Sequence, residues 1–280
     1  MLRIVTDGSV DMPEEWKDRY AIDVIPLRLV WGDESYTQGI DITPEMFYRF
    51  VLQKRTFPKT SLPSPQQVVE FYRTIARRGD DVLSIHVGSQ LSGTYAIIQM
   101  AAREAGADFK VHPFDSNAGS AALGFMCQAA RIDDRAGLPV QAILEHLEEI
   151  RQRITVIFTI DTLEFAYLSG RINALQSAIS SALKIKPIVV LKDGLLEMAE
   201  KVRTRQRAVD RVLEKVRQRV GDQKINLAVV HAADPAMAEK MTAMARQLFN
   251  IHELVTVELS IPVAAHLGPG AIGIVAYPVC

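Results

Sequence analysis

The run Asp81-Val82-Leu83-Ser84-Ile85-His86-Val87 leads directly into Gly88-Ser89-Gln90-Leu91-Ser92-Gly93-Thr94-Tyr95, and this stretch decides the fold class. A short apolar run reads as a strand, the glycines and hydroxyls that follow read as a tight turn, and helical spacing begins at Thr94. The Gly93 step places Ser92 or Thr94 at the N-terminus of a helix. Such an end carries unpaired N–H donors and about half a positive charge, which suits an anion. A second hydroxyl loop, Lys59-Thr60-Ser61-Leu62-Pro63-Ser64-Pro65, offers small hydroxyls of the same kind. The chain reads as a binder of a molecule with one acidic end.

Working outward, apolar runs keep alternating with helical patterns, as in an α/β protein. Residues 2–6, 82–87, 110–114 and 155–160 read as strands. Residues 44–53, 65–78, 94–105, 120–136 and 140–151 read as helices, with Thr43 and Ser64 as N-caps. Each strand ends in an acid, a glycine or a hydroxyl: Asp7-Gly8-Ser9, Gly88-Ser89, Asp115-Ser116 and Asp161-Thr162. In an open parallel sheet such ends gather ligands. The same residue types also cap helices and close turns, so only the four together point to a site.

Beyond Asp161 the texture changes. Residues 163–168, 175–183, 203–219 and 235–249 read as helices, and 226–231, 254–259 and 271–276 as strands. Asp193-Gly194 joins two β-rich runs, 188–192 and 195–202, as a hairpin turn. The sequence thus predicts two α/β domains, 1–160 and 161–280. The first is a mainly parallel sheet flanked by helices.

Composition narrows the function classes. The chain has 280 residues, 48% hydrophobic and 23% charged, with a net charge of -1. That balance supplies no basic field for nucleic acid. Aromatics are only 7% and do not interleave with the basic residues. Cys127 and Cys280 are far apart, which argues for a reducing compartment and against a disulfide framework. No apolar run reaches the roughly 18–20 residues that span a bilayer, and residues 1–7 are strand-like rather than a signal peptide. The expectation is a cytoplasmic protein. Six scattered histidines and the absence of Cys-x-x-Cys spacing leave metal chemistry without support, and no phosphate-binding glycine motif occurs.

Several constellations remain. Gly88-Ser89-Gln90-Leu91-Ser92-Gly93 lacks the spacing of a nucleophile elbow. An acyl or phosphoryl hydrolase using Ser92 with His266 as base stays open as the rival reading. His266-Leu267-Gly268-Pro269-Gly270 is a restricted loop with a donor at its entrance; it is either a ligand contact or a turn between strands. Arg171 follows Gly170 where a helical pattern breaks. The run Lys201-Val202-Arg203-Thr204-Arg205-Gln206-Arg207 is either a solvated face or a dock for an acidic or phosphate-bearing partner.

In order, these segments resemble the DegV family of fatty-acid-binding proteins across nearly the whole chain. The resemblance is carried by Thr6-Asp7-Gly8-Ser9-Val10-Asp11, Gly39-Ile40-Asp41-Ile42, Thr60-Ser61-Leu62-Pro63-Ser64-Pro65 and Leu91-Ser92-Gly93-Thr94-Tyr95. It continues through Asp115-Ser116, Asp161-Thr162-Leu163-Glu164, Gly170-Arg171-Ile172, Ile185-Lys186-Pro187-Ile188, Lys201-Val202-Arg203-Thr204 and His266-Leu267-Gly268-Pro269-Gly270. It implies a long-chain fatty acid, palmitate-like, in a tunnel between two α/β domains, with no cofactor. Thr60 and Ser92 would hold the carboxylate, with His266 nearby and Ser61 and Gly93 shaping the loops. Residues 178–183 and 188–191 would line the tunnel. The resemblance further implies a non-enzymatic lipid carrier that serves a separate ATP-binding fatty acid kinase. The kinase would phosphorylate the bound carboxylate, with Arg171, Lys201, Arg203 and Arg205 as partner or phosphate contacts. Four positions depart from the family pattern: Gly8 for a serine, Leu62 for a glutamine, Gly88-Ser89 for Ser-Ser, and Ser169 for the first glycine of Gly-Gly-Arg-Ile.

Overall fold

The computed structural model describes residues 1–54, 57–106, 108–173 and 185–279. The expected helix over 175–183 and the tunnel-lining stretch 178–183 lie outside the described residues, as does Cys280. By its contacts the chain divides into two compact units, Met1–Thr43 with Thr60–Gln152, and Pro44–Lys59 with Arg153–Cys280. The sequence reading has one boundary near residue 160. In the fold, Arg153 already belongs to the second unit, and so does the earlier segment Pro44–Lys59. The Phe57 ring in that segment meets Phe165 edge-on, with centroids 4.7 Å apart.

The strands up to residue 115 are β1 (Leu2–Asp7), β2 (Ile22–Ile25), β3 (Arg28–Trp31), β4 (Glu34–Thr37), β5 (Lys59–Ser61), β6 (Asp81–His86) and β7 (Lys110–Asp115). A four-stranded sheet runs β2-β1-β6-β7 with every neighbour pair parallel. Such a sheet is covered on both faces, which is why its strands read as continuous apolar runs. Val5 and Val82 pack under Val68 and Tyr72 of the helix Pro65–Ile75 and under Ile98 and Ala101 of the helix Thr94–Ala105. One residue along, Thr6 meets Cys127 of the helix Ala121–Arg135, because strand side chains alternate faces. The mainly parallel, helix-flanked sheet expected from the sequence is therefore present. Ser64 caps its helix as expected: its hydroxyl accepts from Gln67 N at 3.2 Å, and the Gln67 side chain accepts from Ser64 N at 2.8 Å. A small second sheet, β4-β3-β5, carries the Thr60 loop.

In the second unit the strands are β8 (Thr155–Thr159), β9 (Ile172–Asn173), β10 (Lys186–Lys192), β11 (Leu195–Val202), β12 (Ile225–His231), β13 (Ile251–Glu258) and β14 (Ile272–Pro278). They form one mixed sheet in the order β13-β12-β14-β8-β10-β11-β9. The hairpin is where Asp193-Gly194 predicts it: Lys192 pairs with Leu195, and both turn residues have positive φ, 50° and 80°. The core beneath is built from Val209, Val212 and Val216 of the helix Arg205–Val220, Met241 of the helix Pro235–Leu248, and Leu227 and Ile274 of the sheet.

Two expectations are corrected. The fourth strand end does not line up with the other three in one parallel sheet, because β8 runs antiparallel between β10 and β14 in the second unit. The β8–β14 pairing joins residues more than a hundred positions apart, such as Thr159 with Ile272, and leaves no local trace in the sequence. Second, His266 does not stand at the entrance of a bare turn between strands. It lies in the last turn of a short helix, Ile261–Leu267, which starts at Ser260 with Pro262 in its first turn.

Candidate functional site

In the first unit, the hydroxyl turn after β6 closes on itself, since Gly88 O accepts from Leu91 N at 2.9 Å and from Ser92 N at 3.1 Å. Gly93, rather than either hydroxyl residue, is the N-cap of the helix Thr94–Ala105. Ser92, one position earlier, accepts from Thr94 N at 3.2 Å and meets the Thr94 hydroxyl at 2.9 Å. Its hydroxyl is half-buried, and Gly93 is exposed. The Thr60 loop lies against this turn: a Cβ on Gly93 would sit 2.9 Å from Leu62 Cδ1. Thr60 and Ser61 are half-buried beside Leu62. The two hydroxyl loops read separately from the sequence therefore meet.

Beneath the turn, Asp7 of the first strand end joins buried polar residues that carry no motif in the sequence. Asp7, Ser84 and His86 are 0% exposed. Asp7 Oδ2 stands 3.0 Å from His86 Nδ1 and also accepts from Val87 N at 3.0 Å, while Asp7 Oδ1 accepts from Ser9 N at 2.9 Å. His86 Nε2 lies 2.6 Å from Ser84 Oγ, which lies 2.8 Å from the Tyr72 hydroxyl. Burial pushes the Asp7 carboxyl up, but the bond and charge of His86 and the N–H groups of Val87 and Ser9 outweigh it and hold the group below its usual range. The order Ser–His–Asp has the outline of a hydrolytic triad. Its serine has no exposed surface and is bonded to Tyr72, so no substrate reaches it. Ser92, for its part, makes its hydrogen bonds with Thr94. The signal that could have found the network was a histidine and a serine facing one way in a buried strand, at 84 and 86.

The Gly8 departure has a local cause. Gln38 Nε2 donates to Gly8 O at 3.0 Å, and a Cβ on Gly8 would lie 2.0 Å from Gln38 Oε1. Serine at position 8 should displace Gln38 and cost about 1–3 kcal/mol. Chemical denaturation of Gly8→Ser checks this, and the double variant Gly8→Ser with Gln38→Ala should recover most of the loss.

In the second unit, four of the sequence motifs converge. Lys186 Nζ donates to Asp161 O at 2.8 Å and pairs with Asp161 Oδ1 at 2.5 Å. Gly270, at φ 78°, comes so close to Asp161 that a Cβ would fall 2.8 Å from that side chain's Cβ. Gly268, also at φ 78°, lies against the Phe165 ring, 2.6 Å from where its Cβ would stand. Both glycines are thus required by backbone conformation and by contact. They hold the 266–270 loop to the start of the helix Leu163–Ser169. That helix ends where Gly170 N donates to Ala166 O at 3.1 Å, and Arg171 follows, exposed, bonding back to Ser169 O. His266 is half-buried, and burial first, then the positive charge of Arg171, lowers its pKa to about 4. At neutral pH it is an uncharged imidazole. It can donate one hydrogen bond to an acid but brings no charge of its own.

The basic run divides. Lys201 and Arg203 are exposed, whereas Arg205 pairs with Asp234 at 2.8 Å at the start of the helix that Thr204 caps. Among the described residues no group of three His, Cys, Asp or Glu could hold a metal ion, and no helix is long and apolar enough to cross a membrane.

Two α/β units, one built on a helix-flanked parallel sheet with two hydroxyl loops meeting at its edge, define a protein of mixed α/β class. The chain belongs to the DegV family, whose profile ("Uncharacterised protein, DegV family") matches residues 1–279. It is 35% identical over 277 residues to a DegV domain-containing protein of Streptomyces coelicolor, covering 97% of this chain and 96% of the relative. A solved structure described as fatty acid binding of a DegV family protein from Thermus thermophilus aligns with a TM-score of 0.88 at 31% identity, covering 99% of both chains. The fatty acid kinase (Fak) B3 protein of Streptococcus pneumoniae, loaded with linoleic acid, aligns over 100% of both chains with a TM-score of 0.86. At 14% identity it shares the fold.

Proposed function

We propose that this protein binds a long-chain fatty acid in a buried tunnel and carries it without transforming it. The carboxylate is held by Thr60 and Ser92, with Ser61 and Gly93 shaping the loops and the neutral His266 as a further donor. The observation that carries the reading is the meeting of the two hydroxyl loops through Leu62 and Gly93. Support comes from the Thermus relative at 31% identity, whose structure is described by its fatty acid binding. The physics suffices without metal or nucleophile: roughly 14 methylenes at ~0.8 kcal/mol each offer about 11 kcal/mol before ordering costs.

Organic extraction of the purified protein followed by mass spectrometry tests this. Near-stoichiometric fatty acid is expected; no lipid, together with no rise in Tm on adding palmitate, would reject the reading. Ser92→Ala and Thr60→Val are each expected to weaken palmitate binding about tenfold, the size of a hydrogen bond to a charged group, without unfolding the chain. Unchanged affinity in both would remove them from the headgroup site.

The same reading extends to presentation. A separate ATP-binding kinase subunit would phosphorylate the bound carboxylate to an acyl phosphate, with Arg171, Lys201 and Arg203 as its exposed contacts. Arg205 is the weaker candidate, because it must first leave Asp234. Charge reversal at Lys201 and Arg203 should slow ATP-dependent acyl phosphate formation with a fatty acid kinase subunit and leave palmitate affinity intact. An equal rate would retire these contacts.

A further inference from the structure

Resting on that fatty-acid reading, we infer that Asp7 and His86 are positioning residues for the carboxylate-holding turn, fixing Ser92 from beneath through a one-way hydrogen-bond relay. Tyr72 begins the relay. Its hydroxyl lies 2.8 Å from Ser84 Oγ, and burial pushes the phenol up to about 12. Tyr72 is 0% exposed and Ser84 is its hydrogen-bond partner, so the reverse direction would strand the phenolic proton. Ser84 then donates to His86 Nε2, which leaves the His86 proton on Nδ1, pointing at Asp7 Oδ2. Every donor and acceptor in the series has one role.

The relay ends on the oxygen that also receives Val87 N, and this links it to the site. Val87 precedes Gly88, whose N–H donates to Ala118 O at 2.7 Å and whose carbonyl accepts from Leu91 and Ser92. Ser92 is thus referred through one backbone bond, Ser92 N to Gly88 O, and the Val87–Gly88 peptide to a carboxylate with no exposed surface. The other oxygen of Asp7 holds Ser9 N, so the loops after β1 and β6 share one anchor. A polar set this costly to bury beneath a turn of small residues does more than fill space. It makes the turn's geometry independent of solvent. Its members come from the two strands and the helix Pro65–Ile75, all in the first unit, and Cys127 of the helix Ala121–Arg135 faces Asp7 from the other side of the sheet.

Two amides separate positioning from packing. In His86→Asn the side-chain NH2 falls near the place of Nδ1 and still donates to Asp7. In His86→Gln the amide reaches toward Ser84 and Asp7 loses its donor. Lipid-free full-length proteins are titrated with palmitate and with cetyl alcohol, which has the same tail and no carboxylate. Wild type should prefer palmitate. His86→Gln should lose about tenfold of that preference with cetyl alcohol affinity little changed, and His86→Asn should restore it to within about twofold. A folded His86→Gln protein that keeps the wild-type preference would overturn the inference, as would equal losses in both variants. If His86→Gln does not fold, Asp7→Asn, of the same shape as the carboxylate, decides by the same ratio. Wild-type protein that binds both lipids alike would overturn the carboxylate reading and this inference with it. Wild type with a clear preference and variants without effect would overturn the inference alone.

Discussion

Gly268→Ala is expected to destabilise the second unit by about 3 kcal/mol. Two terms add. The residue sits at φ 78°, where an L side chain costs roughly 1–2 kcal/mol. The new Cβ also has no room: it would stand 2.6 Å from Phe165 Cδ2 and 2.9 Å from Cγ. That ring cannot swing aside freely, because it is buried and stacked edge-on against Phe57. Overpacking of this kind costs a further 1–3 kcal/mol or so. Thermal unfolding of the variant should show a Tm lower by about 10 °C, at roughly 2–4 °C per kcal/mol for a unit of this size. Exposed Gly137, which has positive φ and nothing within 4 Å of its would-be Cβ, is the control: Gly137→Ala should show the strain term only. Equal losses at the two positions would mean that the 266–270 loop is not held against Phe165.

The contrast between these glycines marks how far the sequence could be read. A restricted loop beside a histidine was legible in Gly268-Pro269-Gly270. What it was restricted against was not, because Phe165 and Asp161 lie about a hundred residues earlier and meet it only through the antiparallel pairing of β8 with β14. In the first unit β1, β6 and β7 are readable because both faces are covered and an acid or glycine closes each run, whereas the four-residue β2, followed by Pro26, is not. The short strands β3 and β4 were not: Glu34-Ser35-Tyr36-Thr37 is polar and half exposed, with no apolar period to betray it. The hydroxyl loops were found as separate motifs, and only packing showed that Leu62 joins them. The Asp7–His86 contact spans 79 residues between two strands, and in the sequence His86 is one of six scattered histidines. Local chemistry was therefore visible residue by residue, while the partners that orient it were not.

His266 gives the second large effect, and its sign follows from the direction of its shift. Burial, aided by the charge of Arg171, sets the folded-state pKa at about 4, against roughly 6.5 for a free imidazole. Above pH 6.5 both folded and unfolded chains hold a neutral ring, and the residue adds no pH dependence. As pH falls from 6.5 toward 4 the unfolded chain takes up a proton that the folded chain refuses. Stability therefore declines through that window and levels below about 4, by an amount on the order of 3 kcal/mol. His266→Gln removes the titrating group, so its stability measured by urea unfolding should decline less over the same window. The difference between the two profiles isolates His266 from every carboxylate common to both. A bound fatty acid carboxylate near the ring would stabilise the imidazolium and raise the folded-state pKa, so palmitate should flatten the wild-type profile toward that of the variant. Palmitate that raises stability equally at every pH, with the wild-type slope intact, would place the ligand's carboxylate away from His266 and leave the headgroup to Thr60 and Ser92 alone.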